Sequence, residues 1–393
     1  MTAPSAPGIL LVLPWPMGAA GGVNQVVANL IRAGRRTGRA RPVLVENTAT
    51  RGSTVMADGP DGAPVLRFWL RTPLDPAAPM RTLAGFLLRL PATVAVLRAL
   101  IKTHQVDCIN VHYPTLAALH FRVLGLLGRR DWRLVLSFHG LDIHAAAGST
   151  GLTRLAWRWL IRGADAIVAC SAALAAEVAA FEPRCRPRLS VIHNGVDPTE
   201  LPAAAGCLSA PPELAGRHYV LNVATFEPKK GQDVLLAAFA SLAPDFPALD
   251  LVLAGRETAH LGSLRAQVES LGLVDRVFIY TDVPHERLAP LFAGARAFCL
   301  PSRAEPFGIV LLEAALFGLP VLASAVGGVT EIIQPGRDGT LVPPDDVPAL
   351  RTALRTVLAH PDEARRQADS LRERVLAEFT WDSALTRYLA LAR

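Results

Sequence analysis

A chain of 393 residues, 51% hydrophobic and 19% charged, is too long for one ordinary core and too apolar to be disordered, so two globular domains are expected. Five scattered cysteines without a Cys-x-x-Cys pair argue against a disulfide framework or a zinc site, and fit the reduced thiols of a cytoplasmic protein. Charge is uneven: residues 1–195 carry 22 Lys and Arg against 10 Asp and Glu, residues 196–393 carry 18 against 24, and the basic half and the acidic half suggest different partners.

The chain opens on "MTAPSAPGILLVLPWP", an apolar run with no basic leader, which reads as a first buried strand rather than a signal peptide. Further strand candidates are "RPVLVE", "VDCINVH", "RLVLSFH" and "ADAIVACS", then "YVLNVATF", "LDLVLAG", "RVFIYT", "ARAFCLPS" and "LPVLAS". Helical patterns lie between them, among them "NQVVANLIRAGRRTG", "SAALAAEVAAF", "QDVLLAAFASLA" and "LGSLRAQVESLG". Continuously apolar strands alternating with helices imply parallel, doubly wound α/β sheets covered on both faces. The alternation breaks at about 194–218, a Pro/Ala/Gly-rich linker that begins with a turn at Asn194-Gly195 expected in left-handed geometry. This divides the chain into a first Rossmann-like domain (1–196) and a second (197–375), with a final helix (376–393) beyond them. Two such sheets would face each other across a cleft, where ligands bind.

One stretch carries most of the chemistry. In "AEPFGIVLLEAALFGLP" Glu313 is the only charged residue between Gly308 and Thr330. Gly318, Pro320 and Gly327-Gly328 cut the stretch too short for a membrane span. Pro306 holds Glu305 extended, so a helix begins near Phe307-Gly308 with Glu305 before it and Glu313 inside it. The first-turn amides of Gly308, Ile309 and Val310 then form an anion site suited to a diphosphate, and the two carboxylates suit hydroxyl-bearing groups on either side. A core helix with one solvated acid fits the same residues.

"NVATFEPKKGQDVLLAAF" places Lys230 just before a second helix, where its ammonium could meet a phosphate; only three of the 40 basic residues are lysine. "PWPMGAAGGVNQVVANL" is a strand, a Gly-rich loop and a helix, with Gly21 and Gly22 able to approach a phosphate or simply to make a tight turn. "SFHGLDIH" sets His139 after a buried strand, with Asp142 and His144 close by as candidates for acceptor contacts.

These blocks together resemble glycosyltransferase family 4, of the GT-B fold. Glu305 and Glu313 form its Glu-x7-Glu motif, and "PSRAEPFGIVLLEAALFGLPVLASAVGGVTEII" resembles its signature over a similarity that covers nearly the whole chain. The resemblance implies a retaining, metal-independent transferase that uses a UDP-, GDP- or ADP-sugar and needs no cofactor. It implies that His139, Lys230 and Glu305 act at the transferred sugar and its leaving group, and that Glu313 holds the ribose. The implied donor-binding set is Gly21, Gly22, Thr225, Lys230, Val283, Glu305, Phe307, Gly308, Ile309, Val310 and Glu313. No metal ligand is implied, and no Asp-x-Asp occurs. The family's usual Arg before the Lys is absent, and Thr225 stands in its place. "TFEPKKG" resembles a branch that lacks this Arg.

The acceptor is expected on the basic first half. Arg154, Arg158 and Arg162 recur every four residues around Trp157 and Trp159, and "RTLAGFLLRLPATVAVLRALIKTH" is a second apolar–basic stretch. Such helices can lie on anionic membranes, which would suit a lipid-linked acceptor at the inner face of the membrane; packing on the sheet accounts for the same pattern. No nucleic-acid module is recognisable. The other readings are a non-catalytic nucleotide-sugar-binding protein, a GT-B epimerase or phosphorylase, and a membrane-surface scaffold.

Overall fold

The computed structural model describes residues 6–18, 21–48, 55–75, 77–128 and 130–392. They form two compact units, Met1–Asn194 with Trp381–Arg393, and Gly195–Thr380.

The first unit is built on strands β1 (Gly8–Leu13), β2 (Arg41–Asn47), β3 (Val55–Asp58), β4 (Pro64–Phe68), β5 (Val106–His112), β6 (Arg133–Phe138), β7 (Ala166–Ala169) and β8 (Leu189–Val191). Their order in the sheet is β3-β4-β2-β1-β5-β6-β7-β8, parallel throughout except for β3 with β4. Every residue of β1 is buried, as a strand with helices on both faces requires. The second unit holds β9 (His218–Val223), β10 (Leu249–Gly255), β11 (Val277–Thr281), β12 (Ala297–Leu300), β13 (Val321–Ser324) and β14 (Thr340–Val342). These pair in parallel in the order β11-β10-β9-β12-β13-β14, the dinucleotide-fold order. Val220, Leu251 and Leu253 of this sheet pack on Leu235 and Phe239 of the helix Gln232–Leu242. The strand order reverses between β1 and β5 and again between β9 and β12. At such points the flanking helices diverge and leave a crevice at the strands' carboxyl ends.

Four features depart from the sequence reading. The short strands β3, β4, β8 and β14, all but β4 at sheet edges, carry too few apolar residues to announce themselves. The linker contains a helix, Glu200–Cys207, anchored by buried Leu201. Asn194 and Gly195 are not left-handed; the chain runs on extended, and Val196 donates its N–H to the Phe379 carbonyl at 2.9 Å and bridges Thr380. Residues 376–378, assigned to the last helix, instead finish the helix Pro361–Glu378, because Phe379 and Thr380 leave helical geometry to make that bridge; a new helix starts at Trp381.

Glycine is required at 231. Its φ is +66°, and a Cβ there would lie 2.0 Å from the Pro301 carbonyl oxygen, so the turn Pro228–Lys230 is pressed against the chain leaving β12. Gly231→Ala is expected to cost at least about 1–2 kcal/mol from the left-handed backbone alone. Chemical denaturation of the variant measures it, and an unchanged midpoint would show that the turn is not pinned.

Candidate functional site

In the second unit the crevice lies between the ends of β9 and β12. After β12 the chain passes Ser302 and Glu305 and reaches Gly308, whose φ of +102° only glycine adopts without strain. The helix Ile309–Leu316 follows. Leu311 is the first residue to return an N–H into it, to the Gly308 carbonyl at 2.9 Å. The amides of Gly308, Ile309 and Val310 thus precede the first helical bond, at the positive end of the helix dipole.

Both carboxylates beside these amides are held by nitrogen donors, one a lysine and one a histidine. Lys230 Nζ lies 2.6 Å from Glu305 Oε2, with both side chains largely buried. His285 Nε2 lies 2.8 Å from Glu313 Oε1. The sequence reading treated Lys230 and Glu305 separately and did not single out His285. The stretch "VPHER" by itself gives no sign of the pairing, which depends on the return of the β11 loop to the helix. Burial pulls the His285 pKa down, but the hydrogen bond and charge of Glu313 outweigh it, with help from Glu200 and Glu286, so the net change is upward. In each pair one carboxylate oxygen is engaged, and the other is free to accept from a hydroxyl.

Arg303 braces this arrangement. Its guanidinium forks onto Asp233 at 2.8 and 2.7 Å and reaches Asp345 at 2.7 Å, and its backbone N–H meets the Lys229 carbonyl at 2.8 Å. The Asp233 hydrogen bonds, against the pull of burial, raise its already high pKa further. Arg303 therefore sews the loop after β12 to the turn that carries Lys230. Thr225 lies just beyond β9, and its carbonyl accepts from Gln232 Nε2 at 3.1 Å. Val283 follows β11. Phe307 turns its ring into the core beside Phe379, so its side chain is not available to a ligand.

In the first unit, Gly21 caps the helix Gly22–Thr37, while Ala19 and Ala20 lie outside the described residues. Glu46 holds the loop by accepting from the Met17 N–H at 3.0 Å, and Asn24 ties Trp15 to Met17. Neither was foreseen. His139 follows β6 and stacks on His112, the last residue of β5, with Nε2 3.1 Å from His112 Nδ1. Burial lowers the pKa of both, that of His139 to about 4, so both are neutral near pH 7. Asp142 is buried and accepts the N–H groups of His139, Gly140 and Ile143; burial, only partly offset by these bonds, raises its pKa to about 6. The acceptor contact expected of Asp142 is therefore corrected: its carboxylate is used up in holding the His-Gly turn. His144 is exposed and meets Glu177 at 2.9 Å. Among the described residues no three His, Cys, Asp or Glu are grouped to hold a metal.

The arginine row fits the packing alternative: Arg158 and Arg162 pair with Glu182, Arg154 and Arg158 lie over Phe181, and Trp157 is buried, so the row braces the end of the next helix while Arg162 stays exposed. The apolar–basic stretch behaves differently. The helix Pro79–His104 is long and apolar enough to cross a membrane by length and composition alone, with a mean hydropathy of 1.7 and 28% of that window buried. Met80, Leu87 and Leu88 are exposed on it, and Leu88 is 84% exposed.

Comparison with known proteins adds the following. Residues 210–374 match the family described as "Glycosyl transferases group 1", and residues 20–200 match "Glycosyltransferase Family 4". The chain is 30% identical over 406 residues to D-inositol 3-phosphate glycosyltransferase 1 of Catenulispora acidiphila, covering 96% of this chain and 91% of that one. It is 33% identical over 240 residues to glycogen synthase of Mycobacterium tuberculosis, a match that spans 60% of this chain and 56% of the relative's length. Among solved structures, sucrose-phosphate synthase from Thermosynechococcus elongatus superposes with a TM-score of 0.77 at 25% identity, covering 98% of both chains.

Because the folded-state pKa of His285 is raised above its ordinary value of about 6.5, its pairing should stabilise fully below about pH 6.5 and fade as pH rises through the folded value. Melting curves of the protein and of His285→Gln should differ most at low pH and converge as pH rises. A gap that stays flat with pH would refute the pairing.

Proposed function

The chain belongs to glycosyltransferase family 4, and from that membership we propose that it transfers a sugar from a nucleoside diphosphate sugar to a hydroxyl acceptor, with retention of anomeric configuration and without a metal ion. The observation that carries this reading is the Lys230–Glu305 pair beside the unpaired amides of Gly308–Val310. The diphosphate lies on those amides, and Lys230, which has two N–H groups left beyond its bond to Glu305, reaches the β-phosphate. The free oxygen of Glu305 takes a sugar hydroxyl, and that of Glu313 takes the ribose. The bond between the anomeric carbon and the β-phosphate oxygen breaks. The acceptor oxygen bonds to that carbon from the same face, and its proton passes to the departing diphosphate. Donors fixed in advance stabilise the negative charge that develops on the leaving group, the role a divalent cation fills in metal-dependent transferases.

The same reading takes the acceptor to be lipid-linked, in cell-envelope polysaccharide or glycoconjugate synthesis. It is supported by the exposed Met80, Leu87 and Leu88 on a helix that also bears Arg81, Arg89, Arg98 and Lys102, a combination suited to the surface of an anionic bilayer. A second reading, a nucleotide-sugar-binding protein without turnover, is favoured by Thr225 standing where the family commonly has Arg. Donor binding with no turnover across a panel of acceptors would select it.

A thermal-shift screen with UDP, GDP, ADP and their sugars names the base. Lys230→Ala should lower kcat by about 10²–10³, the usual effect of removing one such donor, and Glu305→Ala and Glu313→Ala should also cut transfer while circular dichroism stays native. Full transfer by Lys230→Ala would remove the leaving-group assignment, and loss of activity in EDTA would remove metal independence. The protein should also sediment with phosphatidylglycerol vesicles at low salt, and Leu87→Ser with Leu88→Ser should abolish this; absence of binding by the unaltered chain counts against a membrane-borne acceptor.

A further inference from the structure

His112 is fully buried, and the transfer reaction gives it no part. Its Nδ1 meets His139 Nε2 at 3.1 Å, and its own Nε2 is buried with no partner. Tyr388, from the helix Trp381–Leu391, packs against the ring at 5.8 Å between centroids. The Tyr388 hydroxyl bonds to Ser137, and Ser137 Oγ donates to Asn110 Oδ1 at 2.7 Å, so the other polar groups around the ring are engaged elsewhere.

Two neutral imidazoles sharing one hydrogen bond have two arrangements. If His139 donates, His112 carries its proton on Nε2, as a buried N–H without an acceptor. If His112 donates, its Nε2 is an unpaired lone pair. Orphaned buried N–H groups are rarer than under-used acceptors, so the second arrangement is favoured. His139 Nδ1 has no partner among the described residues and is not among the fully buried unpaired atoms.

We propose that His112 is a positioning residue: its Nδ1–H donates to His139 Nε2, fixing His139 as the Nδ1–H tautomer, so that the open nitrogen of His139 donates a hydrogen bond to an oxygen of a sugar substrate and does not act as a base. The role at the sugar rests on the reading of His139 given above; the tautomer does not. A free histidine side chain in water prefers the Nε2–H form, so the protein holds His139 against its intrinsic preference. Carboxylates and carbonyls that accept the far N–H of a metal-bound histidine orient it in the same way.

Proton–nitrogen NMR of protein labelled with ¹⁵N-histidine tests this in the free enzyme, with the His139 signals assigned by their loss in His139→Gln. His139 should be the Nδ1–H tautomer near pH 7 in the unaltered chain. It should remain so in His112→Asn, whose side-chain amide can donate from the position of Nδ1, and should move toward Nε2–H in His112→Phe. With UDP-glucose or GDP-mannose as donor, kcat/KM should fall by about 10- to 100-fold in His112→Phe, as when outer partners of metal-bound histidines are removed, and recover in His112→Asn. An Nε2–H His139 in the unaltered chain overturns the proposal, and so does a tautomer unmoved by His112→Phe. Should His112→Phe fail to fold, the unaltered chain and His112→Asn still decide. Full turnover by His139→Ala would instead refute the role of His139 at the sugar and leave the tautomer assignment standing.

Discussion

Carboxylates beside an anion site must be neutralised, and the second unit is organised around that requirement. Glu305 and Glu313 flank the amides at the start of one helix, where two bare negative charges would repel a diphosphate. Lys230 and His285 each cover one oxygen of one carboxylate, at 2.6 and 2.8 Å. What remains is a floor of helix-start amides with two acceptor oxygens at its sides. The bracing of Arg303 and the close approach of Gly231 to Pro301 follow from the same need, since both fix the turn that brings Lys230 to Glu305. With Thr225 where an arginine is common, the proposed stabilisation of the leaving group rests on the Lys230 ammonium and the helix amides.

The first unit follows the opposite principle. Its histidine pair is neutral, with His112 fully buried, and Asp142 accepts three backbone amides. Near pH 7 the pair carries no charge and offers only the direction of its hydrogen bonds.

Much of this was legible in the sequence because it is local. Continuous apolar runs gave ten strands, and Pro306 with Gly308 located the helix start that carries the amides. The unread parts depend on distant residues. His285 becomes meaningful only when the β11 loop returns to Glu313, 28 positions away. His112 meets His139 because β5 and β6 lie side by side, and Glu46 reaches Met17 across β1 and β2. The arginine row stayed open between two readings for a related reason: a period of four marks a helix face, while Glu182 and Phe181, supplied from elsewhere, decide whether that face is wet or packed. The short strands β3, β4, β8 and β14 were missed because three to five residues leave too short an apolar signal.

The path of the chain has a temporal consequence. Residues 195–380 form the second unit within the first, which is completed only by Trp381–Leu391. On the ribosome, Tyr388 emerges after the whole second unit. Until it arrives, the side of His112 that it will cover stays open, and the orphaned Nε2 can be solvated. The second unit, whose charge-balanced site lies wholly within 195–380, can assemble during synthesis, whereas the histidine pair is sealed last.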